Sequence, residues 1–431
     1  MKTKTLYLSG AFSLIAWSAF GATYSSGDTY LTSGEGQSNF SIIASEGETT
    51  NVIADGDITA DFNGDCYIGD QNNYGVSNFI VRNSNNYITF NNGLLFSYKT
   101  KEGSINNLTV TGSNNTIEAG AFISSPGISG TNSLISITGS NNVLWWTGNH
   151  RGYGDIRAYE APAVSGNIEF YFKGDGAESS QRAYFYAGGG NGLRLMGSTD
   201  ASSTFKSKIT LAGNATFQKN AESTEVTVSI MSDTSGNSYY GQGEFEVIGA
   251  NNSVSSYNLK VGNSNMTSGN WGKFTITGGG SNIKTQYLNL YGSDSTDMLN
   301  MSMDALEGGI LQYNIASDEI STLNVEGAIQ NFNGIVVLNF EDFITAEAET
   351  TYSYTLVSAA SQWEDKYNAW FSQNKYLINL NENQEAEVTF EYINNSLIAN
   401  VTFASVPEPS SYAAILGALA LMLAARVKKE R

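Results

Sequence analysis

Apolar and polar residues alternate over most of the chain, and one alternating unit recurs in a fixed register. The unit has two apolar residues two positions apart, a glycine two positions later, and another apolar residue five positions after the glycine. Because alternate side chains of a strand point to the same face, each unit predicts a half-buried strand, a sharp corner and a second strand. The complete copies are Leu108, Val110, Gly112, Ile117; Ile135, Ile137, Gly139, Leu144; Phe245, Val247, Gly249, Val254; Phe274, Ile276, Gly278, Ile283; and Leu323, Val325, Gly327, Phe332.

The spacing of these corners predicts a solenoid. A further copy has Asn83 in the glycine position, and partial copies place Gly174 and Gly213 there. One strand and one corner about every 27 to 39 residues favours an all-β fold, an irregular right-handed parallel β-helix. An antiparallel sandwich or barrel also uses short alternating strands and stays open as an alternative. Asparagines stacked at equivalent corners are expected to form hydrogen-bonded ladders between coils.

The pattern changes after Gly327. Aromatic residues recur at helical spacing over residues 362–375 and predict a short amphipathic helix. Two alternating segments, residues 387–393 and 396–403, flank Asn394-Asn395 and predict a β-hairpin. We therefore expect a solenoid body over residues 22–343, closed by a capping region over residues 344–405. The layout resembles the closing segment of autotransporter-passenger-like β-helix proteins.

The first 21 residues have the three-part layout of a secretory signal peptide. Lys2 and Lys4 precede an apolar stretch, and the small residues Ala19 and Gly21 suit cleavage after Gly21. The apolar stretch is shorter than the roughly 20 residues that a spanning helix needs, which argues against the alternative of an N-terminal membrane anchor. We expect the Sec machinery to export the chain.

The last 26 residues, 406–431, contain a short motif, an apolar run and a basic end. The run over residues 412–425 favours a transmembrane helix of marginal length, with its basic end on the cytoplasmic side. A plain C-terminal anchor is the alternative. The motif is Pro407, Glu408 and Pro409, and the basic residues are Arg426, Lys428, Lys429 and Arg431.

This motif, helix and basic stop resemble the PEP-CTERM sorting signal of Gram-negative bacteria that make extracellular polysaccharide. The resemblance covers 26 of the 431 residues. It implies that an exosortase, a membrane-embedded transpeptidase-like protease, cuts near the motif and releases or transfers the protein. It also implies an inner-membrane intermediate and a final location on the cell surface or in the extracellular matrix. About the body of the protein it implies nothing.

Charge excludes one class of partner. The chain has 41 acidic and 22 basic side chains, a formal net charge of −19. Nucleic-acid binding depends on cationic side chains, so we expect no nucleic acid, and the acidic surface suits a soluble extracellular protein. Cys66 is the only cysteine, which leaves no intramolecular disulfide to stabilise the fold.

Few residues suggest chemistry. His150 is the single histidine, which excludes zinc sites built from several histidines. It lies in the stretch of residues 145–153, whose Trp and Tyr side chains are able to stack on sugar rings. A loop with buried indoles and a solvated histidine is the favoured interpretation, and sugar stacking is the alternative.

One acidic stretch is similar to a calcium-binding loop of the dockerin or EF-hand type. Asp61, Asn63 and Asp65 occupy its positions 1, 3 and 5. Cys66 replaces the glycine of the sharp turn, however, and Asn72 lacks the bidentate carboxylate expected at position 12. An acidic turn between strands is therefore favoured, and we expect no metal site.

We expect no catalytic residues and no cofactor, and the leading hypothesis is a structural or adhesive protein of the cell surface or matrix. A carbohydrate-binding surface protein is one alternative, and a β-helix polysaccharide lyase or hydrolase using paired carboxylates is another. The expected partners are the Sec machinery, the exosortase, extracellular polysaccharide and, before processing, the membrane. Aligned aromatics and clustered acidic residues along one face would favour the alternatives, and a featureless solenoid the leading hypothesis.

Overall fold

The computed structural model describes residues 22–37, 39–70, 72–97, 100–124, 130–147, 154–156, 165–188, 192–197, 201–219, 225–232, 240–264, 266, 269–292, 306–343, 350–381 and 384–404. The expected signal peptide, the Pro407-Glu408-Pro409 motif, the C-terminal helix and its basic end lie outside these residues.

Parallel strands stacked from coil to coil form the body. In the described residues one sheet has twelve strands, each paired in parallel with the strand of the next coil. We call this sheet face 1. Its strands are Gly27–Tyr30, Thr49–Asp55, Val76–Arg82, Ile105–Val110, Thr131–Thr138, Gly166–Lys173, Lys206–Leu211, Gln242–Ile248, Trp271–Thr277, Gly308–Asn314, Ile335–Asn339 and Tyr376–Asn379.

A second sheet supplies the other two sides of each coil. Face 2 follows the corner after each strand of face 1, and its described strands are Gly34–Gln37, Thr59–Phe62, Tyr87–Phe90, Thr116–Ala119, Asn142–Trp146, Ala183–Ala187 and Ala215–Lys219. Face 3 contains Ala22–Tyr24, Phe40–Ile42, Asp65–Ile68, Gly93–Phe96, Phe122–Ser124, Gly154–Ile156, Leu193–Leu195 and Thr227–Ile230. Three longer strands run through both faces: Ser253–Val261, Asn282–Leu290 and Leu323–Phe332.

The core is a set of apolar columns that run along the solenoid. Leu108 and Val110 lie in register with the equivalent pairs of the coils before and after them, and all of these side chains are buried. Phe185, Phe217 and Phe245 contact in succession, with ring centroids 5.4 and 5.3 Å apart. The prediction of a parallel solenoid is confirmed, and the antiparallel alternative is wrong for the body because its described strand pairs are parallel.

One predicted copy of the repeat is wrongly placed. Leu323 pairs with Ile283, so it occupies the second-strand position of face 2 rather than the first-strand position of face 1. Gly327 lies within strand Leu323–Phe332 at a bulge and makes no corner. Alternation is the same on every face, and only the stacking partner shows to which face a strand belongs.

Asparagines form the expected ladder inside the corners. Asn86, Asn115 and Asn142 are buried at equivalent positions in successive coils. The backbone N–H of Asn86 donates to Asn115 Oδ1 (3.0 Å), and the backbone N–H of Asn115 donates to Asn142 Oδ1 (2.9 Å). The ladder therefore satisfies backbone groups that the turn leaves without partners.

An antiparallel unit follows the solenoid. Strand Thr351–Ala359 pairs with Ser396–Phe403, which forms a hairpin with Ala386–Ile393. Helix Glu364–Ser372 lies within the predicted range, and Trp370 on it is fully buried against Phe332. The last described strand of face 1, Tyr376–Asn379, follows this helix and lies inside the region that was expected to form the cap.

Candidate functional site

Aromatic and acidic side chains line the outer side of face 2 through successive coils. The register pairs Asp61 with Thr89, then Glu118, Trp145, Tyr186 and Gln218 in turn. Neighbouring strands are about 4.8 Å apart, so this row runs along the solenoid axis for about 24 Å. A parallel row two residues earlier in each strand adds Tyr87 and Tyr184. We call the whole set the aromatic strip: Asp61, Tyr87, Glu118, Trp145, Tyr184, Tyr186 and Gln218.

Two tyrosines of the strip form a stacked pair. The rings of Tyr184 and Tyr186 stack with centroids 5.4 Å apart and planes at 18°. The Tyr184 hydroxyl donates to the backbone oxygen of Ser179 (2.5 Å), in the short 3-10 helix Ser179–Gln181, which holds its ring in place. Burial raises the pKa of both tyrosines, so both stay neutral at physiological pH.

A hydrogen bond joins two coils at the other end of the strip. The Tyr87 hydroxyl donates to Glu118 Oε2 at 2.5 Å, and the Tyr87 side chain is 40% exposed. Burial, together with the Glu118 carboxylate, raises the pKa of Tyr87 to about 12. The hydroxyl therefore remains a donor and leaves the second carboxylate oxygen of Glu118 as an acceptor.

A polar groove lies on the N-terminal coils. It has a volume of about 460 Å³. Asp65 and Tyr67 line it from strand Asp65–Ile68, and side chains from neighbouring coils complete it: Thr23, Asn39, Ser41 and Asn92, with Gly64 at the corner. These hydroxyl, amide and carboxylate groups suit a hydroxylated ligand.

The calcium-like stretch folds as strands around a corner. Asp61 lies on strand Thr59–Phe62, Asp65 on strand Asp65–Ile68, and Asn63 between them. Cys66 points into the core, where burial raises the pKa of its thiol. Within the described ranges no group of three or more His, Cys, Asp or Glu side chains is placed to hold a metal ion.

The structure divides the aromatic stretch of residues 145–153. Trp145 faces outward in the aromatic strip, whereas the neighbouring Trp146 is fully buried in the core. His150 lies outside the described residues. Sequence reasoning singled out Trp145 but missed Tyr87, Glu118, Tyr184 and Tyr186, whose signal was the aromatic and acidic residues at outward positions of strands.

No family model matches the chain, and no curated protein or solved structure is significantly similar to it. In the part of the chain that the structure describes, no helix has the length and apolar character needed to cross a membrane.

Proposed function

We propose that the protein is an exported structural or adhesive component of the surface or extracellular matrix of a Gram-negative bacterium. The observation that supports this best is the stack of twelve parallel strands in the described part of face 1. Eleven strand spacings correspond to a rod about 50 Å long. Because its apolar core runs from coil to coil and the asparagine ladder joins three successive coils, such a rod is a stiff scaffold with a large surface for contacts.

In this proposal the two terminal segments of the chain direct its export and sorting. Residues 1–21 direct Sec export, and the exosortase cuts near Pro407, Glu408 and Pro409 after the C-terminal helix has held the chain in the inner membrane. The basic end from Arg426 to Arg431 keeps that helix oriented. We also infer that the solenoid is right-handed, because parallel crossover connections are right-handed in about 98% of cases.

Intact-mass measurement of the protein from its native host tests this route. We expect the wild-type chain to lose both terminal segments and to reach the cell surface or the medium. The double variant Pro407→Ala, Pro409→Ala should keep its tail and stay with the inner membrane. The matched control is Pro126→Ala, Pro162→Ala, which removes the other two prolines and should be processed normally. A wild-type mature chain that still ends at Arg431 would contradict the proposal.

Carbohydrate binding is a second candidate function, favoured by the alignment of the aromatic strip along the axis. We propose binding without catalysis. Turnover of acidic polysaccharides by the purified protein, lost in Asp61→Asn, Glu118→Gln, would contradict this and favour a hydrolase or lyase.

A further inference from the structure

We propose that the aromatic strip binds a linear, uncharged polysaccharide whose chain lies parallel to the solenoid axis. This inference deepens the carbohydrate-binding candidate by naming the residues, the direction of the ligand and its charge class. It does not depend on the sorting route, because binding is a property of the solenoid and sorting a property of the terminal segments.

The chemistry of the strip matches that of a sugar ring. A pyranose has an apolar face of C–H groups and a rim of hydroxyl groups. Aromatic rings pack against the C–H face, and amides and carboxylates form hydrogen bonds with the hydroxyl groups. Tyr184 and Tyr186 supply the stacked rings and Trp145 a third on the neighbouring strand. Glu118 and Gln218 stand on either side of these aromatics in the same row.

The shape of the strip favours an extended ligand. Its side chains come from successive coils and form two rows on the outer side of a sheet, whereas small molecules are usually enclosed in a pocket. A polysaccharide that runs along the solenoid axis contacts a new protein side chain at every strand spacing of about 4.8 Å. A ligand lying across the axis would leave face 2 after one strand.

The negative charge of the strip favours neutral polysaccharides over acidic ones. The charged members of the strip are the carboxylates Asp61 and Glu118, and the whole chain carries a formal net charge of −19. Arg182, beside the strip, already donates to the Ala177 backbone oxygen and to Thr216 Oγ1. A polymer of uronic acids would therefore meet repulsion, whereas a neutral glycan has no such penalty.

Calorimetric titration of the purified full chain with neutral hexasaccharides tests the proposal. Cellohexaose, mannohexaose and xylohexaose are the probes, and hexagalacturonate is the acidic counterpart. We expect at least one neutral probe to bind and hexagalacturonate to bind at least tenfold more weakly. Trp145→Ala and Tyr186→Ala should each weaken the binding of the neutral probe about tenfold.

Two further variants separate binding from folding. Tyr87→Ala changes a side chain that is 40% exposed, so it should weaken binding without disturbing the core. Tyr74→Ala is the matched control, because Tyr74 is 49% exposed and lies just before strand Val76–Arg82 of face 1. Far-UV circular dichroism of each variant checks that the solenoid is intact.

Three results would overturn the proposal: no binding of any neutral probe, equal binding by folded Trp145→Ala and wild type, or preference for hexagalacturonate. Dimerisation that is lost in Trp145→Ala would also overturn it and assign the strip to a second copy of the chain. Normal removal of the C-terminal tail alongside any of these results would leave the sorting proposal standing.

Discussion

Replacing Asn115 by alanine removes the central rung of the buried asparagine ladder. The Asn115 side chain is fully buried and makes four hydrogen bonds. Its Nδ2 donates to the backbone oxygens of Asn83 (3.0 Å) and Thr111 (2.9 Å). Its Oδ1 accepts from the backbone N–H (3.0 Å) and from Nδ2 (2.8 Å) of Asn86.

These bonds set the expected cost. At about 1 kcal/mol net for each hydrogen bond, the loss of four lowers the free energy of unfolding by about 4 kcal/mol. Buried donors left unpaired on Asn86 make this a lower estimate. Asn114→Gly is the matched control, because the neighbouring Asn114 has a φ of 57° that glycine adopts readily, and it loses one exposed bond from Asn141 Nδ2. That change should cost less than about 1 kcal/mol.

Urea unfolding followed by circular dichroism measures the loss, and hydrogen exchange locates it. Each coil contacts mainly its neighbours, so we expect faster exchange in the strands beside Asn115 and unchanged exchange in distant Trp271–Thr277. If Asn115→Ala is no less stable than Asn114→Gly, the ladder does not stabilise the corners.

Three other predictions concern single sites. Alanine at Gly112, where φ is 88°, places its Cβ against the Asn83 carbonyl oxygen, whereas Gly249, at the equivalent corner with φ 72°, has open space there. Thermal unfolding should show a several-fold larger loss for Gly112→Ala than for Gly249→Ala, and equal losses would contradict this. Burial should protect the Cys66 thiol from Ellman's reagent until urea unfolds the chain, and rapid labelling of the native protein would show the packing to be wrong. The hydrogen bond from Arg82 to Asp55 (2.6 Å) lowers the pKa of Asp55, so its contribution to stability is present above the ordinary aspartate pKa of about 3.9 and is lost as the pH falls further. Arg82→Met should therefore lower the melting temperature at about pH 7 and have little effect at about pH 2, and a pH-independent effect would refute the pairing.

Much of the solenoid followed from local pattern. Leu108 and Val110 alternate with polar residues, which is enough to predict a strand with one buried face. The Gly112 corner and the asparagines after it predicted both the turn and the ladder, because a positive φ and unpaired backbone groups are local requirements. Asn394-Asn395 likewise predicted the hairpin, and both residues have positive φ.

The same reasoning failed where the pattern was ambiguous between faces. The residues from Leu323 to Phe332 match the pattern of the repeat, but their strand begins on face 2. Its pairing with strand Asn282–Leu290 shows this position.

Alternation and corner residues thus specified from the chain alone that short strands and sharp corners recur and which side chains point inward. The pairing between coils decided that the strands are parallel. The aromatic strip needed the folded coil. Tyr87, Glu118, Trp145 and Tyr186 lie 27 to 41 residues apart in sequence, with connections of unequal length between them. Backbone hydrogen bonds between coils set the register that places them in adjacent rows, and a shift of one residue would turn each of them into the core.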